Sequence, residues 1–206
     1  DVGPLKDADA LLALLEPFTM ARDSFPEPPL PYHEITSRAE GVFQLIAAAG
    51  NEGAPSGYQG FSAAPYSYTP ERIDYVDSAA TFLRLACELI EFAEALQQTP
   101  SQPLIETIRG AAQRAARFLV DSRIEDRHGV RWAGTALRPD AGASTANLFF
   151  TNVAALSLRR ALNNPTVADW LSPAIAENIK AALLHVPKWV ASQYAPNMQS
   201  FWMDEA

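Results

Sequence analysis

Residues 75–91 read Tyr75-Val76-Asp77-Ser78-Ala79-Ala80-Thr81-Phe82-Leu83-Arg84-Leu85-Ala86-Cys87-Glu88-Leu89-Ile90-Glu91. On a helix with 3.6 residues per turn, Val76, Ala80, Leu83, Cys87 and Ile90 form one apolar stripe, and Tyr75, Ala79, Phe82, Ala86 and Leu89 form a second. Between them runs a polar line at spacings of three and four: Asp74, Asp77, Thr81, Arg84, Glu88 and Glu91. A helix apolar on two sides needs neighbours on both, so this segment reads as an inner helix whose polar edge faces water or a lumen. Cys87 lies on an apolar stripe and reads as a small core residue.

Outward from this stretch, apolar spacings of three and four broken by Pro, Gly and Asn clusters predict six helices, near 7–23, 33–49, 70–98, 103–123, 146–163 and 172–194. No convincing period-two strand is present, so the expected class is all-α. Thr69-Pro70 and Ser172-Pro173 each offer a hydroxyl N-cap followed by proline at the first helical position, where the missing N–H costs nothing. The fourth helix carries one stripe, Ile105, Ile108, Ala112, Ala115 and Leu119, opposite Arg109, Gln113, Arg114 and Arg117, as an outer helix does. The third and fifth helices are expected to be the most buried.

The chain also repeats at about 70 residues. Tyr75 to Ala80 with Leu83-Arg84 aligns on Phe150 to Ala155 with Leu158-Arg159. Ile108-Arg109, Ala111 and Arg117-Phe118-Leu119 fall on Ile179-Lys180, Ala182 and Lys188-Trp189-Val190, and Trp132 falls on Trp202. A fainter earlier copy puts Phe61 in the place of Trp132. Each unit is an apolar helix, a turn, an Ala-rich amphipathic helix and an irregular stretch holding an aromatic residue. The expectation is about three tandem antiparallel helical hairpins within one domain, 1–206, with a compact closed six-helix bundle as the alternative. An open stack of this kind exposes apolar surface at its ends, which implies a covering partner or more protein beyond this stretch.

The run Ala115-Ala116-Arg117-Phe118-Leu119-Val120-Asp121-Ser122, then His128-Gly129-Val130-Arg131-Trp132, then Ser144-Thr145 and Asn147 to Leu162, resembles the repeat of α/α toroids. These are the helical-hairpin rings of prenyltransferases, triterpene cyclases and (α/α)6 carbohydrate-active enzymes. The resemblance covers about residues 58–202 and implies an architecture equivalent to half of a six-hairpin toroid. The Gln that cyclase-type repeats place before the Gly-Trp pair is Asp121 or Ser122 here, which points away from a cyclase.

Composition narrows the function classes. The chain has 206 residues, 48% hydrophobic and 19% charged, enough to bury a substantial core. Its net charge of −8 opposes the phosphate-neutralising footprint of nucleic-acid binders. The charge is lopsided, with 5 Lys/Arg against 15 Asp/Glu in residues 1–100 and 11 against 9 in residues 101–206. A single cysteine excludes an intramolecular disulfide framework and a Cys-rich zinc site. No apolar run approaches the roughly 20 residues of a membrane helix. The expected protein is soluble and binds neither membrane nor nucleic acid; the compartment stays open, with the cytoplasm preferred.

Several residues carry candidate chemistry. Tyr58, Phe61, Tyr66 and Tyr68, on the loop before the inner third helix, offer either a stacking platform for a sugar or rings that plug the gap between hairpins. Asp74 and Asp77, one turn apart, offer the carboxylate pair that glycoside hydrolysis requires. They also suit a helix N-terminus, where acidic residues meet the positive end of the dipole. The repeat places Asn152 at the Asp77 position. Trp132 reads as a cavity wall or as hairpin packing. Arg123, Arg127, His128, Arg131 and Arg138, with Glu125 and Asp126 among them, form the only basic concentration, suited to an anionic ligand, an acidic partner or a solvated loop. His33, His128 and His185 lack the spacing of a zinc helix, no metal or cofactor is implied, and no nucleophile elbow, phosphate loop or dinucleotide fingerprint is present. Two function readings follow. One is a non-catalytic helical-repeat scaffold that binds a protein partner or the remainder of a longer chain. The other is part of an α/α-toroid enzyme acting on carbohydrate as hydrolase, lyase or epimerase, with a terpene-cyclase-like role as a lesser variant.

Overall fold

The computed structural model describes residues 4–48, 74–136 and 148–193. These form helices α1 (Pro4–Met20), α2 (Tyr32–Ala48), α3 (Val76–Ala95), α4 (Gln102–Asp121), α5 (Leu148–Asn163), α6 (Pro165–Trp170) and α7 (Pro173–Gln193). Four short strands accompany them: β1 (Asp74–Tyr75), β2 (Ile124–Asp126), β3 (Gly129–Arg131) and β4 (Thr135–Ala136). The class is all-α, with two antiparallel two-stranded ribbons, β1 with β4 and β2 with β3.

The two apolar stripes of α3 are spent as the sequence suggests. α3 packs extensively on α1, α4 and α5, α2 packs on α1 and α4, and α7 packs on α5 and α4. Thus α1, α3 and α5 make one row, backed by α2, α4 and α7. Val76, Ala79, Ala80, Phe82, Leu83, Leu85, Ala86, Cys87, Leu89 and Ile90 are all buried. α4 turns Leu104, Ile108, Ala112, Ala115 and Leu119 inward and leaves Arg109, Gln113 and Arg117 exposed. α5 departs from expectation: it buries Leu148, Thr151, Ala154, Ser157, Leu158 and Ala161 but exposes Phe149, Asn152, Leu156, Arg159 and Asn163. The reason is positional. α5 ends its row, so it has a row neighbour on the α3 side and none among the described residues on the other.

Local chemistry sets the helix ends. The Ser172 hydroxyl accepts the Ile175 N–H at 3.3 Å, opening α7 at Pro173 as its cap signal predicts. α3 opens later than expected, at Val76 rather than Pro70, and Thr69-Pro70 lies outside the described residues. Asp74 and Tyr75 pair instead with Ala136 and Thr135, and Val76 N–H donates to Gly134 O at 3.1 Å, so the chain is extended just before the helix. The short α6 was not anticipated. Asn164 ends α5 and caps α6, its Oδ1 accepting the Val167 N–H at 2.9 Å, and Pro165 takes the first helical position.

The segment after α4 is fixed on both sides. Trp132 is fully buried, its Nε1–H donating to Leu119 O at 2.7 Å and its backbone N–H to Thr151 Oγ1 at 3.1 Å, which ties α4 to α5. The β2/β3 ribbon lies on α7. At its turn Gly129 has φ +124°, and a Cβ there would stand 2.6 Å from His185 O and 2.7 Å from Trp189 N. Only glycine meets both the backbone conformation and the close approach.

Candidate functional site

The polar edge of α3 is the place where charge concentrates. It was expected to face water or a lumen; instead it is overlaid by long side chains from both neighbouring helices. From α1, the Glu16 carboxylate takes the Arg84 guanidinium and the Thr19 hydroxyl donates to Glu88. From α5, Arg160 pairs with Glu88 and, at 2.7 Å, with Glu91. Asn164 Nδ2 donates to Glu91 Oε1 at 3.3 Å and to Cys87 O at 3.5 Å. Glu88, only 1% exposed, sits at the centre of this lattice. Burial pushes its carboxyl above the ordinary range, with Glu91 and Glu16 adding to the rise, while the Thr19 hydroxyl and Arg160 pull it down. Cys87, beneath the lattice, has its thiol pushed up to about 12, chiefly by burial and then by Glu91.

Toward the start of α3 the same edge holds carboxylates without a basic partner at hydrogen-bond distance among the described residues. Asp77, half-buried in the first turn of α3, accepts the Ser78 N–H at 2.8 Å. The Thr81 hydroxyl reaches Asp9 Oδ1 of α1 at 3.5 Å. Burial raises the Asp77 carboxyl, and the Asp9 carboxylate acts in the same direction against two backbone N–H groups that lower it. Partial burial likewise raises Asp9, with Thr81 and Arg84 opposing. Two carboxyl groups from neighbouring helices therefore share one field, each less acidic than usual.

Of the residues given candidate chemistry from the sequence, Asp77 lies on this edge, among Thr81, Arg84, Glu88 and Glu91 of the expected polar line. Asp74 contributes its backbone to β1, paired with Ala136. Asn152 is exposed on α5, beside the Thr151 that holds the Trp132 backbone, and the Trp132 ring is enclosed in the core. Tyr58, Phe61, Tyr66, Tyr68 and Arg138 lie outside the described residues. The basic segment is largely self-compensated: Arg131 pairs with Asp126 at 2.9 Å, Arg123 with Glu125 at 3.3 Å, and Arg127 donates to His128. The His128 N–H and Arg131 hold the Asp126 carboxyl below its ordinary value.

Asp9, Glu16, Thr19, Arg160 and Asn164 were not singled out in the sequence. Asp9 and Glu16 are seven apart, so their common face was readable, but their facing α3 is a tertiary fact. The repeat equates Arg84 with Arg159; the structure uses Arg160 and leaves Arg159 exposed.

Among the described residues no group of three or more His, Cys, Asp or Glu is placed to hold a metal ion, and no helix is long and apolar enough to cross a membrane. No family model, curated protein or solved structure matches the chain.

Proposed function

We propose that the chain is a helical-repeat interaction module, three hairpins (α1 with α2, α3 with α4, α5 with α7) laid out as part of an α/α toroid, whose open end binds a protein partner. The observation that carries this reading is the apolar exposure of the last hairpin. Phe149 and Leu156 on α5 are 50% and 62% exposed, and Leu184 on α7 is 75% exposed. Complete burial of such a side chain is worth about 1.5–3 kcal/mol, a driving force left unused in the isolated chain. A photo-cross-linking residue at position 156, and separately at 184, should capture one dominant chain in the native source. Yields spread over unrelated proteins, with no common chain at the two positions, overturn the reading.

A second reading, carbohydrate chemistry on the open side of the α1–α3–α5 row, is favoured by one observation, the shared field of Asp9 and Asp77. Carboxyls held less acidic than usual by burial, Asp77 also by the neighbouring Asp9, suit proton donation at a glycosidic oxygen. Under this reading Asp77→Asn lowers binding or turnover of a soluble glycan by at least tenfold. Unchanged behaviour across a broad glycan panel, or no binding by the parent chain at millimolar glycan, removes it.

A further inference from the structure

The connector between α1 and α2 holds the densest run of proline in the chain, Pro26-Glu27-Pro28-Pro29-Leu30-Pro31, four of its 16 prolines in six consecutive residues. Two P-x-x-P spacings overlap there, Pro26 to Pro29 and Pro28 to Pro31. We propose that this segment is a recognition motif, docked by a protein domain whose aromatic-lined groove reads a polyproline II helix. The motif belongs to the first hairpin and does not depend on the apolar exposure of the last one.

Exposure is the first argument. Every residue from Arg22 to Pro29 is exposed, as is Pro31, whereas Leu30 is partly buried and packs on the core. Rings kept for internal packing would be covered. The chain itself offers a contrast in its third P-x-x-P spacing, Pro100-Ser101-Gln102-Pro103. That one is built into a helix start: the Ser101 hydroxyl accepts the Leu104 N–H at 3.4 Å, and Pro103 stands in the first turn of α4. In the connector only Pro31 has such a use, its carbonyl accepting the Glu34 and Ile35 N–H groups at 3.0 and 3.2 Å as α2 begins.

The backbone supplies the second argument. The Ser24 and Phe25 N–H groups close the end of α1 on Ala21 O at 2.9 and 3.0 Å, and Pro31 O is taken by α2. Between these two anchors, no backbone hydrogen bond among the described residues involves residues 26–30. Their carbonyls are open to a partner's indole N–H or phenol O–H. Every residue from Phe25 to Pro31 is a proline or precedes one, so φ is fixed near −65° or the residue is steered to extended backbone, both compatible with polyproline II. The path bends at Glu27, Pro29 and Leu30, and straightening it breaks no backbone hydrogen bond.

The three-residue period is the third argument. In polyproline II, Glu27 and Leu30 share one edge, Pro26 and Pro29 a second, and Phe25, Pro28 and Pro31 a third. With Leu30 kept on the core, the two edges that carry proline turn outward together, which is the presentation an aromatic groove requires. Phe25, 52% exposed, continues the third edge.

The test is binding of the 206-residue chain to a panel of purified SH3, WW and EVH1 domains, read by the fluorescence of the groove tryptophan and by calorimetry. At least one domain should bind saturably. Pro28→Ala combined with Pro29→Ala interrupts both spacings and should weaken that binding by about tenfold or more. Glu27→Gln, on the inward edge, should leave it unchanged. Circular dichroism and melting temperature should match the parent for both variants, since every substituted side chain is exposed. A synthetic peptide of residues 24–33 should displace the chain from the same domain, a readout independent of the stability of any variant. No binding across the panel at about 1 mM domain, undiminished binding by the double variant, or a bound domain that the peptide fails to displace overturns the proposal. Leu156→Glu should bind the domain as the parent does, so this motif and the interaction surface of the last hairpin fail separately. Loss of binding in that variant would place the contact on the last hairpin and overturn the motif.

Discussion

Replacing Arg160 with alanine tests the α3 lattice at its most loaded point. One guanidinium serves Glu88 and Glu91 together, and Glu88 is almost wholly enclosed. Removing one partner of a buried pair costs about 3–5 kcal/mol, because the remaining charge is stranded. Two features lower that figure here: the Arg160 side chain is 28% exposed, and the Thr19 hydroxyl still donates to Glu88. The expected loss at pH 7.5 is therefore about 2–3 kcal/mol, or roughly 5–10 °C in melting temperature for a chain of this size.

The sign of the pH dependence follows from the direction of the Glu88 shift. Its folded pKa is raised above the ordinary 4.5, so folding holds the proton more tightly than the unfolded chain does. The associated stability is fully present below the unfolded value and is lost as pH rises through the folded one. Deleting Arg160 removes an interaction that lowers this pKa, pushing it further up and extending the window toward neutrality. The Arg160→Ala penalty should consequently be smaller at pH 5 than at pH 7.5, and Arg160→Ala combined with Glu88→Gln should lose most of that pH dependence. Urea denaturation followed by circular dichroism at both pH values measures all three chains. A penalty below about 0.5 kcal/mol, or one equal at the two pH values, would refute the assignment of Glu88 as a buried carboxylate held by Arg160. Arg159→Ala, at the exposed neighbouring position, is the control and should change stability by no more than about 0.5 kcal/mol.

Two further outcomes are expected. Gly129→Ala should destabilise the fold by about 2 kcal/mol or more, since it meets both an unfavourable φ and the backbone of α7; a melting temperature within 1–2 °C of the parent would show that the β2/β3 ribbon does not seat on α7. Cys87, buried and with its thiol pushed up to about 12, should resist a thiol-directed reagent at pH 8 in the native chain and react completely in denaturant, and rapid native labelling would contradict its placement.

What could be read from the sequence was what periodicity controls. The two stripes of α3, the outer face of α4, the core position of Cys87 and the Ser172 cap each depend on residues within a few turns of one another. What escaped was the rotation of one helix against the next. Arg159 and Arg160 differ by 100° around α5, and which of them reaches α3 is decided by how Ala154, Leu158 and Ala161 pack, a fact no alignment of the repeat contains. Asp77 was located on the correct helix edge, but its neighbour Asp9 lies 68 positions away on α1 and could not be paired with it in advance. The start of α3 at Val76 escaped for a similar reason: the pairing of Asp74 and Tyr75 with β4 is tertiary and leaves no local signal. The greater exposure of α5 follows from its place at the end of a row, which composition does not encode.

The central position of α3 has a kinetic consequence. α3 and α4 are joined by six residues, so their contact closes a short loop. The polar contacts on either flank are distant in sequence: Arg84 to Glu16 spans 68 positions, Thr19 to Glu88 69, and Arg160 to Glu91 69. Each flank must close a loop of about seventy residues before it gains these contacts with α3, at an entropic cost that grows with the logarithm of length. The α3–α4 pair is thus expected to form first, with α1 and α5 docking onto it in either order. Substitutions at the α3–α4 contact would slow folding, whereas those in the flanking ion pairs would leave the folding rate nearly unchanged and shorten the lifetime of the folded chain.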